Sequence, residues 1–254
     1  MSPALATDSR WIRRFHLAAD APVRLLCLPH AGGAAGFWFP LSAALAPAVE
    51  TLAVQYPGRQ DRRAEPGLDS VGALTDGIVR ALVPLLDDRP LALFGHSMGA
   101  VLAYETARRL EHEAGAPPAA LIVSGRRAPC RVREENAHLK SDRELAAELR
   151  ELGGTDPGLL DDPDVLRLLL PGVRRDYRAI ETYRHRPGRE PGCPVTVLTG
   201  ADDPRVTVAE ADDWKRHTTG RCTLEVFPGG HFFLGEHTAG IARLVLGRLL
   251  PSAR

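Results

Sequence analysis

Lysine is nearly missing from this 254-residue chain: Lys140 and Lys215 are the only two, so almost all of its 32 basic residues are arginine. That bias reads as base composition of the coding sequence, and arginine clusters therefore carry little functional weight. Net charge is missing as well, 32 basic residues standing against 32 acidic ones, so no overall field draws the chain to nucleic acid or to an anionic membrane. No run approaches the roughly 18 apolar residues of a membrane helix. The first twenty residues carry Arg13 and Arg14 where a secretory leader would be apolar, which makes the cytoplasm the expected compartment. Cysteine is sparse too. Cys27, Cys130, Cys193 and Cys222 are scattered without a C-x-x-C pair, which favours reduced thiols over disulfides or a zinc site. Cys27, Cys193 and Cys222 border strand-like runs and read as small core residues, and none of the four has the basic, polar setting of a reactive thiolate. No internal repeat is visible.

What is present is ordinary for a globular protein, 44% apolar and 25% charged residues, in a length that suits one α/β domain. Strand-like runs at Val23–Leu28, Glu50–Gln55, Leu91–Phe94, Ala120–Ser124, Val195–Thr199 and Thr223–Phe227, with a weaker one at Ile12–Leu17, alternate with helical patterns. The helical patterns cover Ser70–Leu86, Met98–Glu113, Val206–His217 and Thr238–Leu250. Such alternation predicts a mostly parallel sheet flanked by helices, with reactive groups at the carboxyl ends of the strands. One region departs from the rhythm. Between Arg126 and Pro191 no convincing strand occurs; Ser141 and Glu144 form a capping box, and a second helical stretch follows, broken at Pro171-Gly172. The expectation is a single domain over residues 1–254 with a helical lid at about 126–191.

The chemistry concentrates in "LFGHSMGAVLAYE", residues 93–105, where a buried strand gives way to a helix through Gly95-His96-Ser97-Met98-Gly99. This G-x-S-x-G sequence is a nucleophile elbow. A serine hydroxyl needs a base, and the base needs an orienting acid. Of nine histidines, His231 in "FPGGHFF" follows the last strand in a glycine-loosened loop and is the candidate base. His112, His138, His185, His217 and His237 fall in polar helical surroundings and read as solvated, while His30 and His96 read as structural neighbours of the site. "VLTGADDP" places Asp203 after the preceding strand, with Asp202 as second choice. The order Ser97, Asp203, His231 is that of α/β-hydrolases. Developing negative charge would rest on the backbone N–H of Met98 and on that of Ala31 in "PHAGGAAGFW". Phe37, Trp38 and Phe39 follow that loop and are either substrate-channel lining or plain core. Arg126, Arg127, Arg131 and Arg133 are either a docking patch or, given the arginine bias, solvated surface.

Together "LPHAGGAAGFW", "VQYPGR", "LFGHSMGAVLAYE", "TGADDPRV" and "FPGGHFFL", running from Leu28 to Leu234, resemble the type II thioesterases, the discrete editing partners of polyketide synthases and nonribosomal peptide synthetases. The resemblance implies an α/β-hydrolase fold without metal or cofactor. It also implies hydrolysis of aberrant or stalled acyl groups from the phosphopantetheine thiol of acyl or peptidyl carrier proteins, which would be its partners. Monomer is the default expectation. A medium-chain fatty acyl thioesterase or a general carboxylesterase would use the same triad, and a non-catalytic binding module would be expected to have lost one of its members.

Overall fold

The computed structural model describes residues 10–250. The first nine residues of the N-terminal stretch read above, and the last four of the chain, lie outside them. Among the described residues seven strands form one sheet: β1 (Ile12–Arg13), β2 (Arg24–Leu28), β3 (Glu50–Val54), β4 (Leu91–His96), β5 (Ala120–Ser124), β6 (Val195–Gly200) and β7 (Cys222–Phe227). Their spatial order is β1-β3-β2-β4-β5-β6-β7. All pairings are parallel except β1 with β3, where Ile12 faces Val54. The long run expected at Ile12–Leu17 therefore shrinks to a two-residue antiparallel edge.

Strands β2 to β6 are buried along their whole length, as expected for a parallel sheet covered on both faces. Period-two alternation sends their side chains into two cores. Leu26, Leu28, Leu93, Leu121, Val123 and Val197 pack on one face with α2 (Val71–Leu82) and α3 (Met98–His112). Leu25, Cys27, Phe94, Ile122 and Leu198 pack on the other with α1 (Phe39–Leu45) and α9 (Thr238–Leu249). Val71, Leu74, Ile78 and Leu82 form the buried stripe of α2. The pattern expected to continue to Leu86 tightens into a 3-10 turn at Val83–Leu85, where Pro84 cannot donate an N–H.

Between β5 and β6 the chain forms α4 (Asp142–Leu152), α5 (Pro157–Asp161) and α6 (Pro163–Glu181). The Ser141/Glu144 capping box opens α4. Leu145, Leu149, Leu160, Leu170 and Val173 make a small third core among these helices. The break expected at Pro171-Gly172 does not occur: α6 runs through both residues. Packing outweighs propensity here, since a Cβ on Gly172 would lie 2.5 Å from Nη1 of Arg59, and the guanidinium occupies the space a side chain would need. Two short helices, α7 (Val208–Asp212) and α8 (Phe233–Glu236), complete the chain.

His217 and His185, read above as solvated, instead enter a cluster with Tyr104 and Trp214. Their rings lie 4.7 Å apart, and His217 is 2% exposed. Tyr104 Oη lies 3.0 Å from His185 Nε2 and donates to Glu190, while His217 Nε2 accepts the N–H of Cys130.

The turn between β4 and α3 tolerates no extra atoms. A Cβ on Gly95 would sit 2.0 Å from the carbonyl oxygen of Gly99, and one on Gly99 would sit 2.0 Å from that of Leu28. Both obstacles are backbone, so the sheet would have to part from α3. Gly99→Ala should cost at least about 2–3 kcal/mol of stability, read as a lowered urea midpoint against an exposed control such as Gly72→Ala, whose Cβ meets nothing.

Candidate active site

Ser97 occupies the sharp turn with φ 56° and ψ −117°, a region L-residues avoid and one that costs of order 1–3 kcal/mol. The surroundings hold it there. Its N–H donates to the carbonyl of Ser124 at 2.8 Å, and its own carbonyl accepts from Ala100 at 3.0 Å. The turn leaves Ser97 half-buried with Oγ 3.0 Å from Nε2 of His231.

His231 arrives from the loop after β7, and Asp203 from the turn after β6. The two loops are laced together by backbone bonds, Ala201 N–H to Phe227 O at 2.8 Å and Asp202 N–H to Gly229 O at 3.0 Å. Asp203 Oδ2 lies 2.8 Å from His231 Nδ1, and its other oxygen accepts the N–H of Arg205 at 2.8 Å. A carboxylate can only accept, so His231 carries its proton on Nδ1 and turns a bare Nε2 toward the serine. Asp203 and His231 are buried, whereas Asp202 is exposed. Of the two candidate acids, only Asp203 meets the histidine.

Met98 is the first residue of α3, where intrahelical geometry leaves its N–H without a helical acceptor. Ala31 lines the cavity that contains Ser97 and His231. That cavity is about 50 Å³, and its other walls include Leu149 and Leu152 of α4, Tyr177 and Ile180 of α6, and Phe232. The helices between β5 and β6 thus roof the serine.

The three aromatic channel candidates are not among the residues that line this cavity. Trp38 is 1% exposed and packs on Phe94 at 4.8 Å in the core of the α1/α9 face. Phe37 stacks on His96 at 5.6 Å, outside the cavity wall. Phe39 is half exposed against Phe15 and His16.

The four arginines after β5 also separate. Arg127 pairs with Glu135, Arg131 with Asp213, and Arg133 with Glu210 at 2.6 Å. Arg126 makes no ion pair among the described residues and lines the serine cavity instead, where burial and the neighbouring Arg127 lower its pKa to about 10. Arg126, Tyr177, Glu135 and Arg205 were not foreseen as cavity residues. The region's helical periodicity was legible, but which face of each helix meets the sheet was not.

Serine, histidine and aspartate in hydrogen-bonded line at the carboxyl edge of a mostly parallel sheet put the molecule in the α/β-hydrolase class. A profile of the thioesterase domain family matches residues 23–249. The chain is 51% identical over 245 residues to a probable cadicidin biosynthesis thioesterase of Streptomyces griseus, covering 96% of this chain and 67% of that protein. It is 50% identical over 257 residues to thioesterase PikA5 of Streptomyces venezuelae, covering 99% and 92% respectively. Among solved structures, the type II thioesterase BorB from the borrelidin biosynthetic cluster superposes with a TM-score of 0.89 at 50% identity, covering 95% of this chain and 98% of that one. The chain belongs to the thioesterase domain family, and within it to the thioester hydrolases of the type II kind. No helix among the described residues is long and apolar enough to cross a membrane.

Three buried or partly buried histidines carry a pH dependence of stability. Burial lowers His30 to about 3 and His217 to about 4, and holds His96 well below the usual imidazole range. In the unfolded chain each would take a proton near pH 6.5. Stability is therefore fully present above 6.5 and falls as the pH drops toward 4, by up to about 1.4 kcal/mol per pH unit for each histidine. Urea unfolding at pH 7, 6 and 5 should show a steadily falling midpoint, a decline that begins above the range where carboxylates protonate.

Proposed function

We propose that this enzyme hydrolyses aberrant or stalled acyl groups from the phosphopantetheine thiol of acyl or peptidyl carrier proteins in polyketide or nonribosomal peptide synthesis. The carrying observation is the unbroken line from Asp203 through His231 to Ser97, at 2.8 and 3.0 Å, under a helical roof in a chain of this family. In this reading Ser97 Oγ attacks the thioester carbonyl as His231 Nε2 takes its proton. The tetrahedral oxyanion is received by the N–H groups of Ala31 and Met98. His231 then gives the proton to the departing pantetheine sulfur. Water enters, loses a proton to His231 and attacks the acyl-serine ester, and Ser97 recovers its hydrogen as the free acid leaves. Asp203 keeps the imidazole in the required tautomer and stabilises its charged form.

Cavity size bears on the acyl group. At about 50 Å³, with a water-sized probe needing roughly 10–15 Å³, the cavity beside Ser97 has room for only a few atoms, so an acyl arm enters as the roofing helices give way. We read residues 1–254 as one domain with a lid at about 126–191, acting as a monomer. Its free cysteines accord with a reducing, cytoplasmic setting.

Mass spectrometry of a carrier protein loaded with short acyl groups, before and after treatment, should show release of the free thiol form. Preference for oxygen esters over matched acyl-pantetheine thioesters, with no release from the carrier, would overturn the reading in favour of a carboxylesterase. Ser97→Ala should lower turnover by at least about 10⁴-fold while leaving thermal unfolding unchanged, and it should abolish fluorophosphonate labelling. Asp203→Asn should fall by a comparable order, whereas Asp202→Asn should stay within about twofold of the parent.

A further inference from the structure

The segment "VQYPGR", residues 54–59, takes no part in the chemistry above, yet two of its side chains bond the glycine-rich loop that bears Ala31 and a third, Arg59, reaches it through Asp176. Gln55 Oε1 accepts the N–H of Ala35 at 2.9 Å. Tyr56 Oη donates to the carbonyl of Pro29 at 3.0 Å. These two contacts hold the loop at its two ends.

The middle of the loop is held through a third residue. Gly32 N–H donates at 2.7 Å to Oδ2 of Asp176, and Asp176 stands on α6, in the roof. Arg59 donates to the same carboxylate oxygen and also, at 3.2 Å, to the carbonyl of Gly172 on α6. Asp176 is 2% exposed and Arg59 7% exposed, so water competes little for these bonds and the pair acts at low dielectric. Fit reinforces charge: a Cβ on Gly32 would come within 2.8 Å of Val173, and one on Gly172 within 2.5 Å of Arg59. Gly32 follows Ala31 directly, so the peptide plane that carries one amide is fixed next to the plane that carries the other.

We propose that Arg59 and Asp176 are positioning residues that aim the Ala31 N–H at the reacting carbonyl, and that they make this aim conditional on the seating of α6 against the sheet. The proposal rests on the oxyanion role read for Ala31. When α6 lifts to admit an acyl arm, Gly32 loses its acceptor and the loop is released. When α6 settles, the donor pair is restored over the bound substrate. Neither residue touches the substrate, and the roof helix and the oxyanion loop become one mechanical unit.

The test separates positioning from plain stability. An alkylboronic acid accepts the Ser97 Oγ lone pair at boron while the hydroxyl proton passes to His231, giving a tetrahedral anion that leans on the same amides as the reaction's oxyanion. Its affinity is read without any carrier protein, so a mistaken substrate class would leave the measurement intact. Asp176→Ala should weaken boronate binding and kcat together by about 10²-fold, with KM changed less than threefold. Asp176→Asn keeps an oxygen for Gly32 N–H and should stay within about tenfold of the parent in both. Arg59→Gln, which leaves the carboxylate on Gly32 but removes its anchor, should lose about tenfold and serves if the alanine variant does not fold. Folded Asp176→Ala or Arg59→Gln proteins with parental boronate affinity and kcat would overturn the proposal, as would a loss confined to KM.

Discussion

Everything at the active edge depends on one residue held in an unfavourable backbone conformation. Ser97 adopts a positive φ because β4 must turn into α3 within a single residue, and that turn closes only where Gly95 and Gly99 let main chain approach main chain. The sheet supplies the restraint, through the bond from Ser97 N–H to β5 and the register that sets His96 opposite Ser124. A few kcal/mol of local strain can persist because the cores on both faces over-determine the strand positions. The reward is a hydroxyl lifted clear of its own helix and aimed at an imidazole from a loop 134 residues away in sequence.

The base and acid are placed by a different economy. Their loops leave adjacent parallel strands, β6 and β7, and continue the ladder by two further backbone bonds before the side chains diverge. Asp203 is then tied at both oxygens, and His231 has no freedom to choose a tautomer. Precision here comes from backbone pairing extended past the formal end of the sheet, which is stiffer than any contact between long side chains.

Much of this was legible before the structure. The elbow, the acid and the histidine each follow a strand, and strand-then-glycine is a local pattern that does not depend on tertiary context. The choice of Asp203 over Asp202 was legible for the same reason, since one residue of offset in a tight turn moves a side chain from buried to exposed. What stayed hidden was long-range. Gly172 looked like a helix break because its partner, Arg59, lies 113 residues earlier in the chain. His185 and His217 looked solvated because each sits among polar neighbours in sequence, while the Tyr104 ring that packs against both comes from α3. Trp38 stayed open between channel lining and core because it follows the oxyanion loop, and the short 3-10 turn at Ala35–Trp38 settles it in the core against Phe94.

The arginine-rich exit from β5 carries a last consequence. Arg127, Arg131 and Arg133 each have an acid of their own, and Arg126 lines the serine cavity, so the four add far less to the surface potential than four unpaired guanidinium groups would. A macromolecule approaching on this side meets ion pairs in place of free guanidinium groups, and the electrostatic steering these residues could supply is reduced accordingly.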